Sequence, residues 1–191
     1  MRKIWVISPY GKKSEIYGHE TYSKDRKDKG FNAVWQYDLQ NGTIALGGSF
    51  IGNPEGKSED VIKREIMNSR GFSSVSAAHY AKDHWRFYNE IKEGDIVIAK
   101  KGISVILGFG KVVKRKRKIR FYSEEKGLER TGNKYNPHSN FLNVDWIGKG
   151  IEFDERVFRI GRFKPLNEML IKSKYSKYAP IIMDSIKQYF G

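Results

Sequence analysis

The sequence predicts an α+β fold in which helices are inserted between the strands of a barrel-like sheet. Short apolar runs typical of strands alternate with longer segments that carry helix-capping signals, and this order favours the α+β class. The 191 residues leave room for one domain with a small appendage. A hydrophobic fraction of 39% and an aromatic fraction of 14% are sufficient for a core and exclude a disordered chain.

The strands and helices are predicted from apolar periodicity and turn residues. In chain order they are a strand at 3–8, a long polar loop at 10–30, a helical segment at 31–39, a short strand at 43–46, helices at 58–70 and 74–91, a buried strand at 96–99, a strand pair at 104–114 and 118–122 around a basic turn, a strand at 140–147 and an amphipathic helix at 176–190.

Turn and capping residues set the boundaries of these elements. Ser58 is a favourable N-cap for the helix at 58–70, and Gly71 is a favourable stop. Glu59 and Asp60 lie in the first turn, where the helix dipole attracts acidic side chains. Gly42 ends the helical segment before the short strand in the same way.

Charge is the strongest compositional signal. Lys and Arg total 36 against 22 acidic residues, which gives a net charge of +14 and an isoelectric point near 9.8. Such a surplus favours polyanionic partners, chiefly nucleic acid. The alternative is a lysine-rich surface of the kind found in thermophilic proteins. Because the chain has no cysteine, no signal peptide and no long apolar span, we expect a soluble cytoplasmic protein without membrane contact, disulfides or thiolate metal sites.

Motifs for catalysis are weak. Gly56-Lys57-Ser58 lacks the glycine that a P-loop needs five residues earlier, where this chain has Ile51. The triplets 90–92 and 124–126 combine acids with a lysine, as metal-dependent nucleases do, but such triplets arise by chance in a chain that is 30% charged. His79 and His84 would lie about 140° apart on a helix, which argues against joint metal binding. We therefore expect a binding domain with no cofactor, and not an enzyme.

Binding signals are stronger. Residues 111–120 contain seven cations and no acid, so a turn in this segment can neutralise several phosphates. Aromatic side chains are the natural means of reading an extruded base. Trp5 and Trp146 occupy strand positions typical of a core, whereas Trp35 and Trp85 have polar and basic neighbours that favour a pocket.

Four segments in this order resemble the EVE-type PUA-like domains. Trp35 followed by the glycine-ended strand 42–48 resembles the opening of that family. The aromatic helix end, Gly-Asp strand and basic turn of 84–102 are similar to its most characteristic stretch, and 106–112 and the Val-Asp-Trp of 143–146 match its later strands. In the family a tryptophan commonly follows the strand glycine; here Gly48 is followed by Ser49 and Phe50, so that aromatic wall is either missing or supplied by Phe50.

The resemblance implies a small β-barrel with flanking helices, related to YTH domains, that binds nucleic acid with a flipped, modified base in an aromatic pocket. The variant of the family that this chain resembles is the N-terminal domain of McrB-like modification-dependent restriction proteins. There it targets a separate AAA+ GTPase and its nuclease partner to methylated DNA. On this basis residues 1–170 are the EVE/PUA-like domain, and 171–191 are a helical extension leading toward a missing AAA+ domain. Many PUA-like relatives bind RNA, so an RNA-binding module remains the main alternative. An interaction domain for an acidic protein and a nuclease are further alternatives.

The predicted site has two parts. The base pocket is assigned to Trp35, Ser49, Phe50 and Trp85. Phosphate binding beside the extruded base is assigned to Lys100 and Lys101. Phosphate binding further out is assigned to the basic turn, Lys114, Arg115, Lys116, Arg117 and Lys118.

Overall fold

The computed structural model describes residues 2–10, 29–134 and 136–191. Within them lie seven strands and six α-helices. In chain order these are β1 (Ile4–Ile7), α1 (Gly30–Asn41), β2 (Thr43–Leu46), α2 (Glu59–Arg70), α3 (Ser74–Asn89), β3 (Ile96–Lys101), β4 (Val105–Val112), β5 (Arg120–Tyr122), α4 (Glu124–Thr131), β6 (Asn140–Glu152), β7 (Phe163–Pro165), α5 (Leu166–Met169) and α6 (Tyr175–Phe190). The α+β class is thus confirmed.

The strands form one mixed sheet in the order β2-β6-β4-β3-β1-β7, with β5 also paired to β6. Among the strand pairs of the described residues, only β1–β3 is parallel. β6 is long enough to pair with different strands along its length: residues 140–143 pair with β2, whereas 144–152 pair with β4. Register shifts after Ala99 and Phe109 bend the strands, as β-bulges do. The sheet consequently curls into a half-barrel.

Both faces of the sheet are covered. Successive side chains of a strand point to opposite faces, so Ile98 of β3 joins one apolar cluster and Val97 joins the other. The first cluster includes Ile182 and Ile186 of α6, and the second includes Trp35 of α1. Burial on both faces explains why β3 is a continuous apolar run.

Helices α2 and α3 form a third apolar cluster beside the sheet, with Ile62 and Ala81 fully buried in it. Local capping fixes their ends as predicted: the Ser58 hydroxyl accepts a hydrogen bond from the Val61 amide, and Gly71 has left-handed backbone angles. None of the helices in the described residues has the length and apolar character needed to cross a membrane.

Several predicted elements differ in detail. Segments 104–114 and 118–122 were expected to pair with each other, yet beyond one bridge between Arg115 and Lys118 their strands, β4 and β5, both pair with β6. Helices α4 and α5 and strand β7 were not predicted. The strand predicted at 140–147 extends to Glu152, and most of the predicted loop at 10–30 lies outside the described residues.

Candidate functional site

An open pocket of about 620 Å³ lies where the end of β2, helix α3, the end of β3 and the loop before β7 meet. Aromatic side chains from four separate parts of the chain line it: Tyr10, Phe31, Phe50 and Tyr80. The backbone of Gly47 and Gly48 forms another part of the wall. We refer to this site as the aromatic pocket.

Gly48 is required by close packing against His84. Its φ of 93° favours glycine, and a Cβ atom there would lie only 2.2 Å from the His84 Nε2 atom. The buried His84 ring lies between two carbonyl oxygens, with Nδ1 at 2.8 Å from that of Tyr80 and Nε2 at 2.7 Å from that of Gly47. Burial lowers the pKa of His84, and the two carbonyls oppose this effect. The imidazole thereby joins α3 to the glycine wall.

A layer of buried polar groups supports the glycine wall from behind. The Asn136 side-chain oxygen accepts a hydrogen bond from the Gly48 amide at 3.0 Å. Asn140 donates to the Gly47 carbonyl at 3.2 Å and accepts from the Tyr88 hydroxyl at 2.9 Å. Because each group is hydrogen-bonded and buried, the wall is held in one conformation.

Besides His84, two further ionisable groups in or near the pocket have displaced pKa values. Asp83 lines the pocket 3.9 Å from the Lys164 ammonium, and burial raises its pKa to about 7 although Lys164 and Arg86 act in the opposite direction. His138 is buried against the Tyr10 ring, with centroids 5.0 Å apart, and burial together with nearby cations holds its pKa well below 6.5. Asp83 is thus a carboxyl group that changes charge near neutral pH, whereas His138 stays neutral.

The rim of the pocket is basic. Lys100, Lys101, Arg162 and Lys164 all line it. Lys100 is almost fully buried and donates to the Gly102 carbonyl at 2.8 Å. Lys101 is exposed, with its ammonium 5.4 Å from the centre of the Phe31 ring. The pocket therefore combines apolar walls with a positive entrance.

A second depression of about 380 Å³, which we call the hairpin cleft, lies beside the basic turn at 115–118. Lys116 and Arg117 have φ values of 49° and 67°, as the two central residues of a type I′ turn do. The flanking cations are already engaged: Lys114 pairs with Glu93, and Arg115 pairs with Asp145.

Three lysines that line the hairpin cleft are not paired with a carboxylate of the described residues. Within the described part of the chain, Lys116, Lys118 and Lys126 make no ion pair with a carboxylate. Phe121 lies among them and stacks on Phe141, with ring centroids 4.9 Å apart. The cleft thus offers exposed positive charge on an aromatic base. Among the described residues, no group of three His, Asp or Glu side chains is placed to hold a metal ion.

Sequence comparison matches residues 22–162 to a protein family. The model that matches this range is that of DUF8426, a domain of unknown function. The chain belongs to the DUF8426 family. No curated protein and no solved structure matches it. The region matched in DUF8426 includes strands β2 to β6 and helices α1 to α4, hence most of the aromatic pocket and all of the hairpin cleft.

The structure brings together only part of the predicted base pocket of this DUF8426 domain. Phe50 lines the aromatic pocket, and Ser49 lies buried beside it with its hydroxyl bonded to that of Ser139. Trp35 instead lies in the core, edge-on to Trp146 at 4.9 Å. Trp85 packs against the α2–α3 cluster, because on a helix it points about 100° away from its pocket-lining neighbour His84.

The predicted phosphate-binding residues are likewise distributed over different parts of the structure. Lys100 and Lys101 line the aromatic pocket. Of the basic turn, Arg115, Lys116 and Lys118 line the hairpin cleft, whereas Lys114 and Arg117 are exposed outside its lining.

Several pocket residues were missed from the sequence. Tyr80, Asp83 and His84 are spaced by three and four residues, which places them on one face of α3. A helix face that combines aromatic and ionisable side chains is a sequence signal from which this part of the pocket could have been predicted. Tyr10 and Phe31 carry no comparable local signal, because only the fold brings them to the same pocket.

Proposed function

We propose that this DUF8426 domain binds nucleic acid and accommodates one extruded base in the aromatic pocket. A modified base of DNA is the favoured ligand, as the resemblance to EVE-type PUA-like domains implies. The observation that carries the proposal is the combination of apolar ring walls, a glycine-lined side and a lysine- and arginine-lined entrance in one pocket. A planar base attached to a phosphate chain has the matching chemistry.

The dimensions of the aromatic pocket fit such a ligand. Its volume of about 620 Å³ lies in the range of roughly 300–1,000 Å³ typical of small-molecule sites. Phe50 and Tyr80 supply ring surface against which a base can stack. The backbone of Gly47 and Gly48 lines the same pocket, so the edge of a base can approach the main chain there.

Asp83 is the candidate for reading the edge of the base. Its carboxyl group is partly buried and has a pKa near 7, so it exchanges between a form that only accepts hydrogen bonds and a form that also donates one. Exocyclic amino groups and ring nitrogens of bases require such partners. Asp83 therefore selects among bases, while the rings supply affinity that does not depend on base identity.

The hairpin cleft is proposed to bind the phosphate backbone. Phe31 in the first turn of α1 lines the aromatic pocket, and Tyr37 and Asn41 near its end line the hairpin cleft. Tyr37 and Asn41 follow Phe31 by six and ten residues, so the helix separates the two sites by about 9 to 15 Å. This distance is the length of about three to four base pairs at 3.4 Å each. One short stretch of nucleic acid can thus reach both sites.

The resemblance extends the proposal to a biological setting. A domain of this kind would target a McrB-like restriction complex in the cytoplasm, with an AAA+ GTPase and a nuclease as partners and no catalysis of its own. Binding of a base in the pocket and of phosphates in the cleft does not depend on this setting, because it is supported by the residues that line the two sites.

Fluorescence anisotropy with labelled oligonucleotides tests the proposal. The probes are duplex DNA without modification, with N6-methyladenine and with 5-methylcytosine, together with matched RNA, each at two salt concentrations. We expect one methylated duplex to bind most tightly at both. Phe50→Ala should remove about 1–3 kcal/mol of that binding, and Phe121→Ala in the hairpin cleft should leave the preference between probes unchanged.

Each other outcome selects an alternative. Tightest binding to RNA that depends on the ribose hydroxyl would favour the RNA-binding module. Equal, salt-sensitive binding of all probes by the protein and by Phe50→Ala would contradict a base pocket. Absence of binding at physiological salt would favour an acidic protein partner, and cleavage of DNA with Mg²⁺ or Mn²⁺ would favour a nuclease.

A further inference from the structure

Two aliphatic side chains stand exposed at the rim of the aromatic pocket. Ile160 is 77% exposed, more than any other large apolar residue of the described chain, and it lines the pocket. Ile103 lines the same pocket and is 37% exposed. An apolar side chain that covers no core is most often an isolated surface residue. Two of them at the entrance of one pocket indicate a contact with a ligand.

The loop that carries Ile160 is firmly attached on both sides. The Arg159 amide donates a hydrogen bond to the Met169 carbonyl at 2.8 Å, and the Arg162 carbonyl accepts one from the Ser8 amide at 2.7 Å. Only residues 160 and 161 remain at the apex, and Gly161 adopts a φ of 152°. Ile160 is therefore presented by a fixed turn.

The turn that carries Ile103 is joined to the same structure. The Ile103 carbonyl accepts hydrogen bonds from the Val157 and Phe158 amides, both at 2.9 Å. These amides lie immediately before the Ile160 loop, so the two isoleucines belong to one connected rim. We refer to Ile103 and Ile160 as the isoleucine rim.

Cations flank the isoleucine rim. Arg159 and Arg162 enclose Ile160 in sequence, and Lys101 precedes the turn of Ile103. None of these three cations forms an ion pair with a carboxylate in the ranges 2–10, 29–134 and 136–191. Apolar side chains surrounded by positive charge fit the space between stacked bases, where the neighbouring groups are phosphates.

We propose that the isoleucine rim inserts into double-stranded nucleic acid and fills the gap left by the base that enters the aromatic pocket. This inference rests on the proposed function and specifies its substrate as a duplex. A base that leaves a duplex leaves a hole and an unpaired partner, and an apolar wedge offsets part of the unstacking cost. A single strand leaves no such hole and has no need of the wedge.

The test compares Ile160→Ala, and the double variant Ile103→Ala with Ile160→Ala, against Val75→Ala. Val75 is a matched control, because it is 70% exposed on α3 and lines neither the aromatic pocket nor the hairpin cleft. Each protein is titrated with the methylated duplex that the unmodified protein prefers and with the same methylated strand alone. A duplex with 2-aminopurine beside the methylated base reports unstacking by a rise in fluorescence.

We expect the double variant to bind the duplex roughly tenfold more weakly and to give a smaller fluorescence rise. Its affinity for the single strand should stay within about twofold of the control, and Ile160→Leu should behave as the unmodified protein does. Unchanged duplex affinity and fluorescence in the double variant, with a normal response of the unmodified protein, would overturn the wedge alone. No fluorescence response from the unmodified protein would overturn base extrusion and the wedge together.

Discussion

The aromatic pocket and the hairpin cleft are both basic, but they are built differently. The glycine wall of the pocket is held by buried groups, among them His84 and Asn136, whose hydrogen bonds lie within the protein. The hairpin cleft is lined by exposed lysines, and its turn places Lys116 and Arg117 in left-handed backbone conformations without glycine. One site is pre-shaped and partly apolar, whereas the other presents exposed charge on a tight turn.

This difference predicts different contributions to binding. Phosphate contacts position a protein on nucleic acid but carry no sequence information, and contacts to bases do. A fixed pocket can discriminate between ligands because its groups do not rearrange to suit each one. Long, solvated lysines adapt to any phosphate. We therefore expect selectivity to reside in the pocket and salt-dependent affinity in the cleft.

Helix α1 connects the two sites, and a buried ion pair holds it. Asp38 on α1 and Arg130 on α4 have no exposed side-chain surface; the Arg130 Nε lies 2.7 Å from the Asp38 carboxylate, and another guanidinium nitrogen donates to the Pro9 carbonyl at 2.8 Å. Burial raises the pKa of Asp38 to about 6 although Arg130 opposes the shift. The pair thus fixes the part of α1 between the pocket and the cleft.

The largest expected effect follows from removing this cation. Arg130→Met leaves the Asp38 carboxylate buried without a counter-charge, and we expect a loss of about 3–5 kcal/mol in the free energy of unfolding at pH 7. Both binding sites should be impaired together. Urea denaturation at pH 7 and pH 5 measures the loss.

The pH dependence identifies the cause of that loss. A carboxyl whose folded-state pKa lies above its unfolded value destabilises the fold above that pKa, and the penalty falls as the pH approaches the unfolded value. The loss in Arg130→Met should therefore shrink at pH 5. An equal loss at both pH values would assign it to packing. The control is Lys187→Met, which removes an exposed pair with Asp184 and should cost less than about 0.5 kcal/mol.

The second effect concerns the carboxyl group in the pocket. Burial raises the pKa of Asp83 to about 7, so its ionisation disfavours the fold above pH 7 and the penalty disappears as the pH falls toward 3.8. Asp83→Asn should raise the free energy of unfolding at pH 8 by on the order of 2 kcal/mol, a figure that allows for the partial exposure of the carboxyl group. At pH 4 the same substitution should change it by almost nothing. Thermal unfolding at the two pH values checks this.

The control for the pocket carboxyl is Asp154→Asn. Asp154 is exposed and lines neither site, so its replacement should leave the melting temperature nearly unchanged. A stabilisation by Asp83→Asn that is the same at pH 4 and pH 8 would show that the amide packs better, and that the charge of Asp83 is not the cause.

Local signals explain which parts of the fold were predictable. The helix at Glu59–Arg70 is specified by Ser58 before it and Gly71 after it, and both act within a few residues of the chain. The two-sided pairing of β6 has no local signature, because it depends on strands that are distant in sequence. The basic turn was likewise predicted, but the partner of its second strand was not.

The aromatic pocket was harder to predict for the same reason. Trp35 has polar neighbours, and this favoured a pocket position, but the burial of Asp38 one turn later turns that face of α1 inward. The rings that do line the pocket, at positions 10, 31, 50 and 80, are about 20 to 30 residues apart in sequence. Only Phe50 was identified in advance, because the resemblance drew attention to it.

The smallest expected effect belongs to the hairpin cleft. Lys116→Gln combined with Lys118→Gln removes two exposed charges, so the dependence of log affinity on log salt concentration should become shallower by about 1.8, since each phosphate contact in duplex DNA contributes about 0.9. Affinity for methylated, unmethylated and RNA probes should fall by similar factors. Anisotropy titrations over a series of salt concentrations measure both quantities.

The matched control for this pair is Lys172→Gln combined with Lys187→Gln, two exposed lysines that line neither site. It removes the same net charge, so it separates contact with phosphate from a general loss of positive field. If both double variants reduced the salt dependence equally, the cleft would have no special role. If the hairpin variant changed the preference among probes, the division between a selecting pocket and a charged cleft would be wrong, because a purely electrostatic contact cannot distinguish bases.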